Sequence, residues 1–314
     1  MRTGIMILLM ISVPAAAQMP DPGSRKVPEI PPPGERLRVV IDSDCKNEVD
    51  DQWALALALL SPERFAIEGF VGANFDNNHG GPSGIEQSVR EIEKLLQLAG
   101  CSGRWPVKAG SHPMRYRSEP SPSEGVDFII DRAMAGSPEN PLWVVGLGAA
   151  TDIASAYLKE PAIAGRVVVF WHFRTRWPEK CWNFNVIGDV RAARIVFHSA
   201  LSFVLFDTGT YLTCPMEESE RFVRPFGALG RYLHDIRLAG AWYQQPTKGF
   251  FDLGDIAALV DPDLGCWEET EAPTVEWDLD YLFEGRWGRI LRCYHIDRDG
   301  TFALLYDKLK KNRS

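Results

Sequence analysis

The sequence predicts an α/β fold: a mainly parallel open sheet with helices on both faces. Three observations carry that expectation. Short apolar runs alternate with helix-period segments through the first two-thirds of the chain, the pattern of strand–helix–strand units. Polar residues collect just after the apolar runs, at Asp42 and Asp44, at Asn74, at Thr151 and beyond Trp171. In a parallel sheet those strand ends form the ligand-binding edge. With 314 residues, 45% hydrophobic and 24% charged, the chain can bury a sizeable core and has a soluble, globular composition.

Residues 1–17 have the form of an export signal: Arg2, an apolar run from Ile5 to Val13, then Ala15-Ala16-Ala17 before Gln18. The run is too short to span a bilayer. The protein is therefore expected to be exported, periplasmic or secreted, and cleavage would take the net charge from −8 to −9 by removing one Arg. Residues 18–36, with Pro20, Pro22, Pro28 and Pro31-Pro32-Pro33, read as an extended arm. Residues 37–314 read as a single domain, with no repeat and no further linker.

Within that domain the first strand is expected at 36–41, followed by an acid-rich loop and a helix through Trp53 and the Ala/Leu run to Leu60. A second strand at 65–72 leads through a glycine-rich loop at 75–82 to an amphipathic helix at 83–99. That helix places Ile85, Val89, Ile92, Leu95, Leu96 and Ala99 on one face, and Gly100 stops it. Strands follow at 107–110, 142–147, 166–171 and 203–206, with helices at 125–135, from Thr151 through Tyr157, and at 189–197. Loops at 111–123 and from 172 to Asn185 are long enough to line a site. Region 216–245 reads as mostly helical, 252–260 as a helix, and the tail as two strands near 287–296 and 301–306.

An acidic chain with no long basic run is a poor match for nucleic acid or an anionic membrane. Six widely spaced cysteines contain no C-x-x-C pair, which argues against zinc-ribbon or redox chemistry. Their even number permits disulfides in an exported protein, and free buried thiols fit equally well.

The densest chemistry lies at Asp42-Ser43-Asp44-Cys45-Lys46-Asn47-Glu48-Val49-Asp50-Asp51. Residues i and i+2 of a strand share a face, so Asp42 and Asp44 project together at its carboxyl end. Asp50 and Asp51 open the following helix, whose N-terminus favours negative charge. Four acids this close repel one another unless a cation sits among them or some are protonated. Adjacent carboxylates suit a hard cation, Ca²⁺ or Mg²⁺. The bland alternative is a solvated, acid-capped helix start.

These residues carry a resemblance. Asp42-Ser43-Asp44 followed by Asp50-Asp51 and an Ala/Leu helix resembles the Asp-x-Asp-Pro-Gly-x-Asp-Asp signature of the inosine/uridine-preferring nucleoside hydrolases, with a loop two residues longer. Further matches follow in order: Asn74; Gly148-Ala149-Ala150-Thr151-Asp152-Ile153-Ala154; Asn183-Phe184-Asn185 with Asp189; and Gly254-Asp255-Ile256-Ala257-Ala258. The resemblance implies that Asp44, Asp51, the Thr151 carbonyl and Asp255 bind Ca²⁺, and that Asp44 takes a proton from the attacking water. It implies ribose binding by Asp50, Asn74, Asn183 and Asn185, with Asp42 as support. The reaction implied is N-glycosidic cleavage of a ribonucleoside or related ribosyl compound through an oxocarbenium-like transition state. The partner would be that small molecule, with the oligomeric state, a homo-oligomer included, left open.

In this comparison Gly254 stands where the family has a proton-donating histidine, and Asn183 where it has a ribose-binding Glu. His79, His112 and His172 are the candidate replacement acids. Trp171, Trp177 and Trp182 are candidates for stacking on a base, and Arg115, Arg117, Arg174 and Arg176 for binding an anion. A non-catalytic Ca²⁺/sugar-binding protein of the same fold is the alternative. A phosphatase using Asp42 as nucleophile fits less well, because Lys46 departs from its motif and Asp50-Asp51 would go unused.

Overall fold

The computed structural model describes residues 19–75, 81–239 and 245–312. The export signal expected at 1–17 lies outside them, as do His79 and part of region 216–245. The chain alternates as expected: β1 (Leu37–Ser43), α1 (Asp50–Leu59), β2 (Phe65–Gly72), α2 (Gly84–Leu98), β3 (Val107–Ala109), α3 (Glu124–Met134), β4 (Leu142–Gly146), α4 (Thr151–Lys159) and β5 (Val167–Phe173). Then come α5 (Phe184–Gly188), α6 (Val190–Phe197), β6 (Ser202–Asp207), β7 (Thr213–Pro215), α7 (Met216–Phe222), α8 (Gly227–Asp235) and β8 (Thr247–Gly249). The chain finishes with α9 (Asp252–Val260), β9 (Gly265–Glu271), β10 (Thr274–Val275), β11 (Tyr281–Leu282), β12 (Arg289–Ile296) and α10 (Arg298–Lys311).

Eight strands form the main sheet in the order β3-β2-β1-β4-β5-β6-β12-β9. The first seven positions are joined by parallel pairings, and β9 pairs antiparallel with β12 at one edge. The strand order reverses direction between β1 and β4, which leaves a crevice at the carboxyl ends there. Alternate residues build two cores. Val39, Ile41, Val145, Phe170 and Phe206 pack toward α1, α9 and α10. Val40, Val144, Val169 and Leu205 pack toward α3, α4 and α6.

Every residue of α1 is buried, including Asp50, Asp51 and Gln52. The Ala/Leu run has no polar face because the helix is enclosed by the sheet, α2, α8 and α9. Burial of each leucine there contributes roughly 1.5–3 kcal/mol. This hydrophobic anchoring fixes the acidic first turn of α1 against the sheet.

The tail corrects one expectation. Residues 301–306 lie in α10 rather than in a strand. Asp297 caps that helix by accepting from Asp299 N, and Thr301, Phe302, Leu305 and Leu309 form its buried stripe. A six-residue apolar run cannot by itself distinguish strand from helix. The second edge strand is instead β9.

The proline-rich arm holds a short 3-10 turn at Pro22–Ser24, capped by Asp21, and is pinned at two points. The buried Arg64 guanidinium donates to the carbonyls of Pro31, Pro32 and Glu35 on the arm and of Leu259 on α9. Arg25 donates to the carbonyls of Val196, Phe197 and Ser199, where the C-terminal end of α6 favours positive charge. All six cysteines are free thiols. Among the described residues no helix is long and apolar enough to cross a membrane. Arg64→Ala removes several charge-assisted bonds and strands buried carbonyls, so urea unfolding should show a loss of about 3 kcal/mol or more. A loss under about 1 kcal/mol would mean that Arg64 does not hold the arm.

Candidate active site

β1 carries its acids to the crevice. Beyond the strand the chain turns sharply, with Asn47 N–H donating to the Asp44 carbonyl at 2.9 Å and Lys46 at a φ of +98°. Glycine would adopt that left-handed conformation freely, so a lysine there stores strain of roughly 1–2 kcal/mol. The turn delivers the chain into α1 with Asp50 and Asp51 leading.

A cavity opens above these residues. Asp44, Glu48, Asp50, Asp51 and Asp252 form its acidic wall. His172, Arg174, Asn183, Phe184, Asn185 and Phe251 form much of the rest. One carboxylate oxygen each of Asp50, Asp51 and Asp252 lie within 4.8 Å of one another, and so do a ring nitrogen of His172 and a carboxylate oxygen each of Asp252 and Asp255. Ser43 Oγ donates to Asp51 at 2.6 Å, Asn47 Nδ2 to Asp44 at 2.9 Å, and Phe251 N–H to Asp50 at 3.2 Å.

So many buried carboxylates cannot all carry charge cheaply. Burial, reinforced by Asp50 and Glu48 and opposed by the Asn47 hydrogen bond, pushes Asp44 up to about 7. Burial and the neighbouring acids push Asp51 and Asp252 well above the usual carboxylate range. Lys248 supplies one positive charge at the edge of the group, donating to Glu48 and to the Gly249 carbonyl. Burial works against that charge, but Asp50, Glu48 and Asp252 outweigh it and raise the lysine. Both oxygens of Asp42, Asn74 Oδ1 and Asp255 Oδ1 are buried without a partner. The clustered carboxylate oxygens of the lining and their mutual repulsion fit a hard cation.

Of the residues singled out from sequence, Asp44, Asp50, Asp51, Asn183 and Asn185 line the cavity. Asn183 caps α5, its side-chain oxygen accepting from Asn185 N at 2.7 Å, and Asn185 ties β4 to β5 by donating to the Leu147 and His172 carbonyls. Asn74 and Thr151 sit behind the lining. Asn74 donates to the Ser111 carbonyl and to Thr151 Oγ1, and the Thr151 hydroxyl donates to Asp189 at 3.0 Å. Asp42 stands near Asp152, and burial with that neighbour raises it.

Asp255 lies near the cluster but behind the cavity wall, its carboxylate within 4.8 Å of ligand atoms of Asp252 and His172. It is fully buried, lies outside the lining, and holds His172 Nδ1 at 2.6 Å. Asp252, one helical turn earlier on the same face of α9, stands at the cavity with Asp50 and Asp51. Gly254 likewise does not face the site: a β-carbon there would meet Leu212 at 2.6 Å and Phe206 at 2.8 Å. It is a core glycine, and the residue that precedes the cavity aspartate is Phe251.

Among the candidate acids, His172 alone of the described histidines lines the cavity, and His112 is exposed. Trp171 is core, donating to the Gly148 carbonyl, and Trp177 packs on Tyr281 and Phe283. Trp182 reaches Phe184 at the cavity mouth. Arg174 is the one of the four arginines in the lining. Sequence reasoning missed Asp252, Phe251, Phe184 and Lys248 as site residues. The signal for Asp252 was present, an acid at the first position of an apolar helix like Asp50 on α1.

The chain matches the family profile of the inosine-uridine preferring nucleoside hydrolases over residues 39–278. A search of the curated proteins gives no match. Solved structures give close fold matches. A plant nucleoside hydrolase superposes with a TM-score of 0.70 at 20% identity, covering 88% of this chain and 99% of its own. A purine-preferring ribonucleoside hydrolase from Gardnerella vaginalis gives 0.70 at 19% identity over the same shares, 88% and 99%. An inosine-uridine preferring nucleoside hydrolase from Bacillus anthracis gives 0.67 at 14% identity, again covering 88% and 99%. At these identities the superpositions show the fold, and the profile match over most of the chain shows the family: the protein belongs to the inosine-uridine preferring nucleoside hydrolases.

Proposed function

We propose that the protein is an exported, Ca²⁺-dependent hydrolase of N-ribosyl bonds, and that Asp44, Asp51 and Asp252 hold the cation. The observation that carries this reading is that Asp44, just beyond β1, lines one cavity with Asp50 and Asp51 of α1 and Asp252 of α9, the last three with carboxylate oxygens within 4.8 Å of one another. Thr151 would offer its carbonyl, and Asp50, Asn183 and Asn185 would meet the ribose hydroxyls, with Asn74 bracing from behind. A bound cation would orient and acidify water. Asp44, beside the cation, would accept a proton from that water. The remaining carboxylates favour the positive charge that develops on the sugar as its bond to the base breaks. A non-catalytic Ca²⁺/sugar-binding protein of the same fold is the second reading, because Phe251, which precedes the cavity aspartate, can no more donate a proton than Gly254, and Asn183 replaces a ribose-binding Glu.

Ribose release from a nucleoside panel tests this directly. Turnover should vanish with a chelator and return with Ca²⁺, and Asp44→Asn should lower kcat by roughly 10²–10⁴-fold. Ca²⁺ bound with no ribosyl substrate turned over would contradict it.

The cation also governs stability. Without it the raised carboxylates keep protons in the folded chain that the unfolded chain releases near pH 4. Their contribution is full below that pH and is lost as pH rises through about 6 for Asp255 and about 7 for Asp44. The Tm of chelated protein should therefore fall between pH 4 and pH 8. Ca²⁺ at about 100 times its Kd should restore roughly 2.7 kcal/mol, most effectively at the higher pH. Identical Tm–pH curves with and without Ca²⁺ would count against a cation in this cluster.

A further inference from the structure

The cavity holds one cation of its own that the chemistry above does not use. Arg174 follows β5 directly and is partly buried in the lining. Its guanidinium carbon lies 3.6 Å from the centroid of the Phe251 ring, close enough for face-on stacking. Phe251 is itself fixed: its N–H donates to Asp50, and its ring occupies the space a β-carbon on Gly249 would need. Among the described residues Arg174 has no carboxylate or carbonyl partner. Among the described residues the fully buried guanidiniums each have one, Arg25 and Arg64 on carbonyls and Arg237 on the Cys214 carbonyl, as does the part-buried Arg292 on Asp207, whereas Arg132 stacks on Phe128 without one.

That absence is notable in a cavity lined by five acids, and the contacts of those acids account for it. Asp44 is held by Asn47, Asp51 by Ser43, Asp50 by Phe251 N–H and Glu48 by Lys248. Asp252 leans to His172 at 3.5 Å. A fork of donors stacked on an aromatic ring, facing a cavity and unpaired among the described residues, is matched by a planar anion, and a carboxylate meets it with two parallel hydrogen bonds. At the mouth the half-exposed Phe184 offers a second aromatic surface for a flat ring.

The geometry points to Arg174, seated on Phe251, as the residue that selects ribosides whose heterocyclic leaving group carries a carboxylate. This rests on the proposed N-ribosyl hydrolysis, and it adds a substrate class to it. In the step itself the C1′–N bond breaks with its electron pair passing to the heterocycle, and the water oxygen bonds to C1′. One water proton goes to Asp44 and from there to solvent. Arg174 holds the carboxylate throughout and transfers no proton.

The matched pair of nicotinic acid riboside and nicotinamide riboside differs only in carboxylate against carboxamide. Calorimetry on the Ca²⁺-loaded protein, with turnover measured in parallel, should show the acid bound at least about tenfold more tightly and cleaved with correspondingly higher kcat/KM. Arg174→Gln should bring both ratios close to one, and Arg174→Lys, which keeps the charge but loses the fork, should fall between. Ca²⁺ binding by each variant reports that it is folded. Equal affinities in the natural protein, or a preference that survives Arg174→Gln, would overturn the assignment. Absence of turnover even on p-nitrophenyl riboside would instead overturn the hydrolase reading, and the binding ratio would still decide the role of Arg174.

Discussion

The structure depends on an unresolved repulsion. Asp44, Asp50, Asp51 and Asp252 are all buried at the carboxyl end of β1, and burial alone makes their charges costly. Lys248 answers only part of that charge, through Glu48. The fold tolerates the cluster because each acid sits on an element anchored elsewhere. β1 is central in the sheet, α1 is buried along its whole length, and α9 packs against α1 with Phe206 and Leu212 pressed on Gly254. Hydrophobic packing thus holds together charges that would otherwise move apart, and it leaves carboxylate oxygens of Asp50, Asp51 and Asp252 within 4.8 Å of one another.

A layered support surrounds that point. Asp255 holds His172, Asp189 holds Thr151, and Thr151 with Ser111 holds Asn74. Asp189 does this while also capping α6 and accepting from Met114 N, so one carboxylate fixes three segments. These residues matter to the site by orienting the groups that line it, much as outer partners orient metal ligands generally.

Much of this was legible in the sequence, for physical reasons. Strand-to-helix alternation gave the parallel sheet, and a carboxylate pair at a strand end followed by two acids at a helix start marked the site. The register of α9 was not legible. Asp252 and Asp255 are three residues apart and share a helical face, so sequence alone could not say which stands at the cavity and which lies a turn deeper. The Arg174–Phe251 stack and the Lys248–Glu48 pair join positions far apart in the chain, and only the closed fold brings them together. In the tail, Thr301 to Tyr306 read as a strand and form a helix, because so short an apolar run does not fix its period; Asp297 caps that helix.

The central claim is that one hard cation completes this cluster. A crystal structure of the Ca²⁺-loaded protein, with the ion located by anomalous scattering, tests it most directly. A single ion bound by carboxylate oxygens of Asp44, Asp51 and Asp252 at roughly 2.3–2.6 Å is the predicted result. An ion seated between Asp255 and His172, or no ion in the cluster at all, would contradict it.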